Sequence, residues 1–398
     1  MKVLIIPTWY ITNERPDCGN YFRDQALAMH GSGVQTGVVY VDISRSAFGG
    51  KLQRFDLFKT RVYIDQDIPT VRMNGLGLSF RFKAFQVFYA RLVAHCFNQY
   101  VRQFGMPDII HAHGYPAAYA TSGIKQRWGI PFVYTEHLTL MKGHRYPAAH
   151  HTLIEQALKN ADAVTAVSSA LAGWMQEKTR RKIQVVPNLV NTEVFHWKAQ
   201  AVSDKFCFLH VGDLIPRKSP DLILKAFAKL VKKYPGAPLK LDLIGKGVLM
   251  PSLKQLAESL EIQAQVQFWG LLPPEKVAEQ LQSRQCLLLS SSLETFGVVL
   301  AEALVCGVPI IATDCGGPAD LVTPENGYLV RVNDVEEFAA AMMRMFEQYA
   351  RFDQKAISEA AIARYGHEAV ATRWQEIYAN VANIGNLNER GSIDGSGM

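Results

Sequence analysis

Two successive series of short apolar segments, separated by amphipathic stretches, most constrain how this chain can fold. Apolar segments that alternate with helical patterns indicate βαβ units, which build parallel sheets. We therefore predict two doubly wound α/β domains, joined by the polar stretch 191–205. Sheets of this kind bind ligands beyond the carboxyl ends of their strands. The predicted strands are 3–7, 34–41, 109–112, 132–135, 163–167 and 184–186 in the first series, and 206–211, 239–244, 265–268, 286–290, 310–312 and 327–329 in the second.

Length, cysteine use and hydropathy bound the class of protein. A chain of 398 residues is too long for one ordinary hydrophobic core, which agrees with two domains. The six cysteines form no C-x-x-C pair, which predicts buried free thiols in a reducing cytoplasm. The first apolar run ends at Pro7, too early for a signal peptide, and no stretch is apolar enough to span a bilayer. We expect a cytoplasmic protein, soluble or peripheral at a membrane.

Positive charge is concentrated in the first half of the chain. Residues 1–200 contain 23 Lys and Arg against 13 Asp and Glu, a net charge of +10, whereas residues 201–398 carry −4. The first half should therefore be attracted to an anionic surface. Within it, the segment 72–102 mixes aromatic with basic residues. Its loop 76–83 could rest on anionic lipid, or the aromatic residues could pack inside the domain while the cations are solvated.

Two glutamates, Glu294 and Glu302, follow the predicted strand 286–290. Gly297 opens an apolar helical stretch, so Glu294 should lie in a loop and Glu302 inside the helix. The free N–H groups at the start of such a helix bind phosphate well. Eight residues of helix would separate the two acids by about 12 Å, too far for a glycoside hydrolase pair. They could instead hold the sugar and the ribose of one extended ligand, with a diphosphate between them.

The same region carries a family resemblance. Residues 294–302, followed by 306–318, resemble the E-x7-E signature of retaining glycosyltransferases of the GT4 type, which have the GT-B fold. The resemblance extends over about residues 1–379, and the opening of the chain resembles a subgroup from bacterial surface-polysaccharide pathways. Other segments that resemble the family, in family order, are 108–114, 134–137, 185–191, 210–218 and 243–247.

The resemblance implies a domain organisation. A GT-B protein has two Rossmann-like domains that face each other across a cleft, with a carboxyl-terminal helix crossing back to the first domain. Residues 1–195 plus 368–385 would form the acceptor-side domain, and residues 196–367 the nucleotide-sugar-binding domain. Residues 386–398 are rich in Gly, Asn and Ser, and we predict a disordered tail there.

Two cations follow the strand 206–211. Arg217 and Lys218 at the carboxyl end of a strand would suit a leaving diphosphate, although solvated loop charges are the alternative. Lys218 stands where the family lysine does, whereas Asp213 stands where the family often has an arginine. The resemblance makes Arg217, Lys218 and Glu294 catalytic candidates. The donor-binding candidates of this domain are Gly212, Gly245, Gly247, Phe296, Gly297, Val298 and Glu302.

The first domain contributes three further candidates. His137 follows the strand 132–135, and a lone histidine there is usually structural, but the resemblance implies a catalytic role near the donor sugar. Gly19 and Asn20 precede an amphipathic helix, where an ordinary turn would explain them. The resemblance instead places a glycine-bearing loop beside the donor phosphates, so both are donor-binding candidates.

No metal or other cofactor is expected. His111 and His113 alternate on a strand, but two ligands without a carboxylate cluster do not make a metal site. The triplet 65–67 has the D-x-D form that marks GT-A glycosyltransferases, and we interpret it as solvated loop charge.

These observations predict a retaining, metal-independent glycosyltransferase. It would transfer a hexose or N-acetylhexosamine from a nucleotide diphosphate sugar. The resemblance implies that this donor is a UDP-sugar. The acceptor would be a glycan or lipid-linked glycan of surface polysaccharide such as lipopolysaccharide, at the inner face of the plasma membrane. No nucleic-acid partner is expected. Two alternatives remain: a nonhydrolysing UDP-sugar epimerase of GT-B fold, and a noncatalytic subunit that binds nucleotide sugar.

Overall fold

The structure is a computed structural model that describes residues 1–11, 19–43, 57–76, 80, 82–138, 148–199 and 204–393, with the backbone alone at 148–149 and 384–393. The chain forms two compact units, Met1–Leu189 with Val370–Met398, and Val190–Ala369. The division lies a few residues from each boundary expected from the sequence, 195/196 and 367/368. Each unit is built on one sheet.

An eight-stranded sheet forms the first unit, with the strand order β3-β4-β2-β1-β5-β6-β7-β8. All neighbours are parallel except β3 and β4, which form an antiparallel hairpin. The strands are β1 (Lys2–Pro7), β2 (Gln35–Asp42), β3 (Thr60–Asp65), β4 (Ile68–Asn74), β5 (Ile109–His113), β6 (Phe132–Glu136), β7 (Ala163–Ala166) and β8 (Gln184–Val185). The helices are α1 (Asn20–Gly31), α2 (Lys83–Phe104), α3 (Tyr115–Trp128), α4 (Ala148–Asn160), α5 (Ser169–Gln176) and, from the end of the chain, α12 (His367–Ile393).

The hairpin of β3 and β4 was not predicted. Gln66 and Asp67 form its turn with φ of 47° and 66°, the left-handed values that a two-residue hairpin turn requires. Because β3 lies at the edge of the sheet and its residues are partly or fully exposed, it lacks an apolar run. Strand β4 is mostly buried, but Thr70, Arg72 and Asn74 interrupt its apolar residues, so it was missed as well.

Helix α12 packs on the core of the first unit. Trp374 and Tyr378 are buried in one cluster with Val3 and Met29, and the side-chain amide of Gln375 donates to the Ser32 carbonyl at 3.0 Å. This confirms the expected return of the terminal helix. The helix continues to Ile393, so the prediction of disorder from residue 386 was wrong for residues 386–393. Gly and Asn weaken a helix, but one that packing already anchors gains a hydrogen bond with each added residue.

The aromatic residues of helix α2 mostly face the interior. Phe85, Tyr89 and Phe97 are buried, whereas Phe82, just before the helix, is 66% exposed. Packing inside the unit therefore accounts for most aromatic residues of the segment 72–102. Residues 77–79 and 81 of the loop 76–83, for which lipid contact was one of two alternatives, lie outside the described residues. In the described part of the chain, no helix combines the length and the apolar character needed to cross a bilayer.

The second unit contains a six-stranded parallel sheet in the order β11-β10-β9-β12-β13-β14. Every strand predicted in this half is present, with bounds that differ by no more than two residues. The strands are β9 (Phe206–Val211), β10 (Leu239–Ile244), β11 (Val266–Gly270), β12 (Cys286–Leu289), β13 (Ile310–Thr313) and β14 (Gly327–Val330). The helices are α6 (Pro220–Lys233), α7 (Met250–Ser259), α8 (Pro274–Leu281), α9 (Val298–Val305), α10 (Val335–Gln348) and α11 (Gln354–Tyr365).

Both sheets confirm the predicted doubly wound architecture. In the second sheet the chain runs outward in one direction from β9 through β10 to β11, and in the other direction from β12 through β13 to β14. In the first sheet the corresponding reversal lies between β1 and β5. Such switch points leave a crevice at the carboxyl ends of the two central strands, where ligands bind in this class of fold.

Candidate active site

The predicted acid and cations meet at the switch point of the second unit. Arg217 and Lys218 lie in a short 3-10 helix, Pro216–Lys218, after β9, and Glu294 lies in the loop after β12. Lys218 donates a hydrogen bond from Nζ to Glu294 Oε1. Arg217 Nη1 lies 3.8 Å from the same oxygen and donates to the Leu293 carbonyl at 3.0 Å. One carboxylate thus faces two cations.

Glu294 is held by backbone contacts as well as by the cations. Its carboxylate is almost fully buried, and its backbone forms an isolated parallel bridge with Gly316. The N–H of Gly317 donates to the Glu294 carbonyl at 3.0 Å. A Cβ at Gly317 would lie 2.4 Å from the Phe296 Cα, so only glycine permits this approach. Gly316 and Gly317 lie within a segment that resembles the family, but a pair of glycines does not by itself predict this supporting role.

Helix α9 begins beside Glu294, as predicted. Gly297 precedes it with φ of 92°, and the helix runs from Val298 to Val305. The N–H of Leu300 bonds to the Gly297 carbonyl, which leaves the earlier N–H groups of the first turn directed out of the helix. Glu302 lies inside the helix and is half-buried. The helix begins only at Val298, so helical rise separates Val298 from Glu302 by about 6 Å, and the prediction of about 12 Å, which took all eight residues as helical, does not apply.

The other predicted positions of this unit fall into two groups. Phe296 is buried, and its ring packs edge-on against Tyr365 at 5.9 Å between centroids. The glycines join the loops after β9 and β10. A Cβ at Gly245 would lie 1.9 Å from the Gly212 carbonyl oxygen, and one at Gly247 would lie 2.2 Å from the Leu214 carbonyl oxygen. Close packing of two loops therefore explains Gly245 and Gly247 without a ligand.

A buried histidine also lies near the cations and was not assigned a role from the sequence. His210, near the end of β9, donates a hydrogen bond from Nδ1 to the Leu288 carbonyl at 3.0 Å. Burial lowers its pKa to about 4, and the nearby charge of Lys218 acts in the same direction. No partner among the described residues reaches its Nε2. The imidazole is therefore neutral at physiological pH.

In the first unit, His137 lies directly after β6, as expected. Its Nε2 is 3.0 Å from Nδ1 of His113, and its ring packs against Tyr21 and Phe22 in the first turn of α1. Burial lowers the pKa of His137 to about 3 and that of His113 well below its usual value. Within the described ranges, no hydrogen-bond partner reaches Nδ1 of His137. A neutral imidazole with one free ring nitrogen therefore stands beside the start of α1.

The loop that carries His137 is anchored by Glu136, which the sequence did not single out. Its fully buried carboxylate accepts hydrogen bonds from the N–H groups of Tyr115, His137 and Leu138 at 3.1, 2.7 and 2.8 Å. The Tyr134 hydroxyl adds a fourth at 2.6 Å. Burial raises the pKa of Glu136, and these donors oppose that shift. In the sequence, Glu136 could have been recognised as a carboxylate at the end of an otherwise apolar strand.

Gly19 and Asn20 begin helix α1. Gly19 has φ of 83°, and a Cβ there would lie 3.1 Å from the Tyr10 Cα, so the turn itself requires glycine. The Asn20 side-chain oxygen is buried without a partner among the described residues. Together with Tyr21 and Phe22, these residues place the start of α1 beside His137.

Two groups of residues could have suggested a metal site, the histidines of β5 and the D-x-D triplet 65–67, and most of their side chains have other partners in the structure. His111 is fully buried, with Nδ1 2.6 Å from the Tyr378 hydroxyl and Nε2 2.6 Å from the Thr135 hydroxyl. Asp65 is not a solvated loop charge as we predicted, because it forms a two-point ion pair with Arg23 at 2.8 and 2.9 Å. Asp67 lies in the hairpin turn. Across the described ranges, no group of three or more His, Cys, Asp or Glu has the geometry of a metal site.

Comparison with known proteins agrees with this geometry. A family model described as Glycosyltransferase Family 4 matches residues 19–194, and one described as Glycosyl transferases group 1 matches residues 191–364. The chain is 30% identical over 291 residues to N-acetyl-alpha-D-glucosaminyl L-malate synthase of Bacillus anthracis, an alignment that covers 69% of this chain and 75% of that protein. It is also 30% identical over 263 residues to D-inositol 3-phosphate glycosyltransferase of Rhodococcus erythropolis, covering 60% of each.

A solved structure shows the same fold. Sucrose-phosphate synthase from Thermosynechococcus elongatus superposes with a TM-score of 0.74 at 18% identity, covering 95% of this chain and 98% of that one. At 18% sequence identity, this similarity shows only that the fold is shared. The matching sequence families, the relatives and the two doubly wound sheets agree with one another. The chain belongs to the GT4-type glycosyltransferases and has the GT-B fold.

Proposed function

We propose that this glycosyltransferase uses a UDP-sugar and transfers a hexose or N-acetylhexosamine, with retention of anomeric configuration and without a metal ion. The acceptor in this proposal is a glycan or a lipid-linked glycan of the cell surface. The observation that carries the proposal is the meeting of Arg217, Lys218 and Glu294 beside the first turn of α9.

The chemistry of the leaving group supports this use of the site. Negative charge grows on the departing diphosphate as the sugar is released, and catalysis depends on stabilising that charge. Arg217 and Lys218 supply two cations, and the first turn of α9 supplies backbone N–H groups. With these groups the protein itself could neutralise the diphosphate, which is the basis for proposing a metal-independent reaction.

The two glutamates would bind the two ends of the donor. Glu294 would accept hydrogen bonds from sugar hydroxyls, and Glu302, farther into α9, from the ribose hydroxyls. No residue stands out as a covalent nucleophile, so we propose front-face attack by the acceptor hydroxyl. In this proposal His137 lies near the donor sugar, and Nδ1 of its neutral imidazole forms one hydrogen bond with a sugar hydroxyl.

The choice of donor and acceptor has indirect support. The name of the Bacillus anthracis relative refers to an N-acetyl-alpha-D-glucosaminyl group, which favours the N-acetylhexosamine of the two proposed sugars. The excess positive charge of the first 200 residues favours an acceptor or a membrane surface that is anionic. Because the aromatic residues of α2 are mostly buried, any association with the inner face of the membrane would depend mainly on charge.

Calorimetric binding of UDP and GDP tests the nucleotide assignment. We expect UDP to bind more tightly than GDP, and Glu302→Ala to weaken UDP binding about tenfold through the lost ribose hydrogen bonds. Glu258→Ala, an exposed glutamate of α7, is the matched control and should leave the affinity unchanged. Tighter binding of GDP would overturn the choice of base, and unchanged affinity in Glu302→Ala would overturn the ribose assignment.

Product analysis separates transfer from the two alternatives. We expect a UDP-sugar to be consumed only when an acceptor is present, and NMR of the product to show the anomeric configuration of the donor. A changed sugar on the same nucleotide, formed without acceptor, would favour an epimerase. Binding of the nucleotide sugar without turnover over a panel of glycan and lipid-linked acceptors would favour a noncatalytic subunit.

A further inference from the structure

Three consecutive serines follow strand β12 and connect the cationic turn to the acidic loop. Ser290 and Ser291 are fully buried, and Ser292 is half-buried. We call residues 290–292 the serine segment. Buried hydroxyl groups require hydrogen-bond partners, and those of this segment determine its effect on the site.

Ser290 and Ser292 bind the turn that carries the cations. The Ser290 hydroxyl lies 2.8 Å from the Lys218 carbonyl oxygen and 2.9 Å from that of Ser219, so its proton is shared between two acceptors. The N–H of Ser292 donates to the Arg217 carbonyl at 2.8 Å, and its hydroxyl lies 3.1 Å from the same oxygen. Three successive carbonyl groups of the turn therefore accept from the serine segment.

This turn needs external support. Ser219 has φ of 46° and ψ of 48°, a left-handed conformation that is strained for any residue with a Cβ. The 3-10 helix before it has only three residues. A segment of this length does not fix its own geometry. Hydrogen bonds from the serine segment hold the backbone of Arg217 and Lys218 in one position.

Ser291 acts on Glu294 instead. Its hydroxyl donates to Glu294 Oε1 at 2.8 Å, the oxygen that also accepts from Lys218 Nζ. The hydrogen bonds from Ser291 and Lys218 and the closest contact of Arg217 all reach Oε1 of Glu294. The Ser291 carbonyl accepts in turn from the Thr313 hydroxyl at 2.6 Å, which fixes the serine against β13. One carboxylate oxygen is thus engaged by protein, and the other remains for a ligand.

We propose that the serine segment is the positioning element of the donor site, an inference that rests on the proposed function. Ser290 and Ser292 set the place of the cations that face the diphosphate, and Ser291 sets the rotation of Glu294 so that Oε2 meets a sugar hydroxyl. These serines act through other residues and do not touch the reacting atoms. The two parts of the segment therefore influence different parts of the donor.

Single alanine variants can separate the two effects. Ser290→Ala should weaken binding of UDP about tenfold, because the Arg217 and Lys218 backbone loses its support. Ser291→Ala should leave the affinity for UDP, which has no sugar, within about twofold of wild type while lowering kcat with the UDP-sugar about tenfold or more. Ser291→Cys, which keeps the side-chain connectivity and a weaker donor on a somewhat larger atom, should give an intermediate kcat.

A buried serine elsewhere in the same unit provides the control. The hydroxyl of Ser358, in α11, donates to the Val305 carbonyl at 2.6 Å and is buried, so Ser358→Ala removes a comparable hydrogen bond. Ser358→Ala should show the same thermal destabilisation as the other alanine variants but near wild-type UDP affinity and kcat. Ser291→Cys keeps the test available if Ser291→Ala does not fold.

The outcomes distinguish this inference from the function on which it rests. If wild-type protein binds neither UDP nor GDP, the proposed function fails and the inference fails with it. If wild-type protein binds UDP and turns over the sugar, but the Ser290 and Ser291 variants behave like Ser358→Ala, only the positioning role is refuted. Equal loss of UDP affinity in both variants would also refute it, because the serines would then not act on separate parts of the donor.

Discussion

The Lys218 ammonium group donates a hydrogen bond to Oε1 of the nearly buried Glu294 carboxylate, joining the loop after β9 to the loop after β12. The two residues are 76 positions apart in the sequence. They meet because β9 and β12 are neighbours in the sheet, although β10 and β11 lie between them in the chain. Neither charge is well solvated, so each depends on the other.

This pairing predicts an asymmetry between single and double substitutions. Lys218→Met should lower the free energy of unfolding by about 2–4 kcal/mol, since it leaves the nearly buried Glu294 carboxylate with Arg217, 3.8 Å away, as its remaining cation. Lys218→Met combined with Glu294→Gln should be more stable than Lys218→Met alone, with a coupling of about 1–3 kcal/mol in a double-mutant cycle. Urea denaturation of wild type, Lys218→Met, Glu294→Gln and the double variant measures this coupling free energy. The exposed pair of Lys225 and Asp221 is the control, with an expected coupling below about 1 kcal/mol.

The loop contact between Gly245 and Gly212 predicts a second stability effect. A Cβ at Gly245 would lie 1.9 Å from the Gly212 carbonyl oxygen, and the residue has φ of 144°. Gly245→Ala should therefore destabilise the second unit by about 3 kcal/mol or more, because the contact is with backbone that cannot rotate away. Gly236→Ala is the matched control, since Gly236 has φ of 82° but nothing within 4 Å of its Cβ position. It should cost only about 1 kcal/mol in thermal denaturation. Similar losses in the two variants would contradict the close approach.

Short apolar runs allowed most of the fold to be predicted. The four central strands of the second unit are largely buried runs, such as Cys286–Leu289, and this pattern does not depend on their neighbours. Strand β3 could not be found in this way, because at the sheet edge its residues need not be apolar. The extent of α12 was also missed, since packing of Tyr378 and Val381 overrides weak helix propensity.

The candidate site was predictable in part for a similar reason. Residues that follow parallel strands must gather at one edge of the sheet, so Lys218 and Glu294 could both be assigned to a ligand site at that edge. What holds them could not be predicted. The hydrogen bond from Ser291 to Glu294 and the close approach of Gly317 to Phe296 depend on side-chain directions and loop conformations that tertiary packing decides.

The buried histidines of the first unit predict a loss of stability in mild acid. The pKa of His137 is about 3 in the folded protein and about 6.5 when unfolded, so between these values the unfolded state binds more protons. Stability contributed by neutral His137 is therefore complete above about pH 6.5 and is lost as the pH falls toward 3. From pH 7 to pH 5 the loss is about 2 kcal/mol.

Unfolding free energies measured at pH 5 and pH 7 test this expectation. His137→Gln should lose about 2 kcal/mol less than wild type between the two conditions, since glutamine does not titrate. His30→Gln is the control, because it removes an exposed imidazole at the end of α1 and leaves the buried cluster intact. An unchanged pH dependence in His137→Gln would mean that His137 is not buried as a neutral group.

The D-x-D triplet gives a direct test of metal independence. Asp65 is engaged by Arg23, and Asp67 forms part of the hairpin turn, so neither is organised as a metal ligand. Chelation with EDTA should therefore leave turnover of the UDP-sugar unchanged, as should Asp67→Asn, which retains the side chain that tolerates a left-handed turn. Asp65→Asn should reduce stability by about 1 kcal/mol through the lost ion pair, again without a change in kcat. Loss of turnover in EDTA that Mn²⁺ or Mg²⁺ restores would show instead that a metal takes part in neutralising the diphosphate, and the role proposed for Arg217 and Lys218 would then be incomplete.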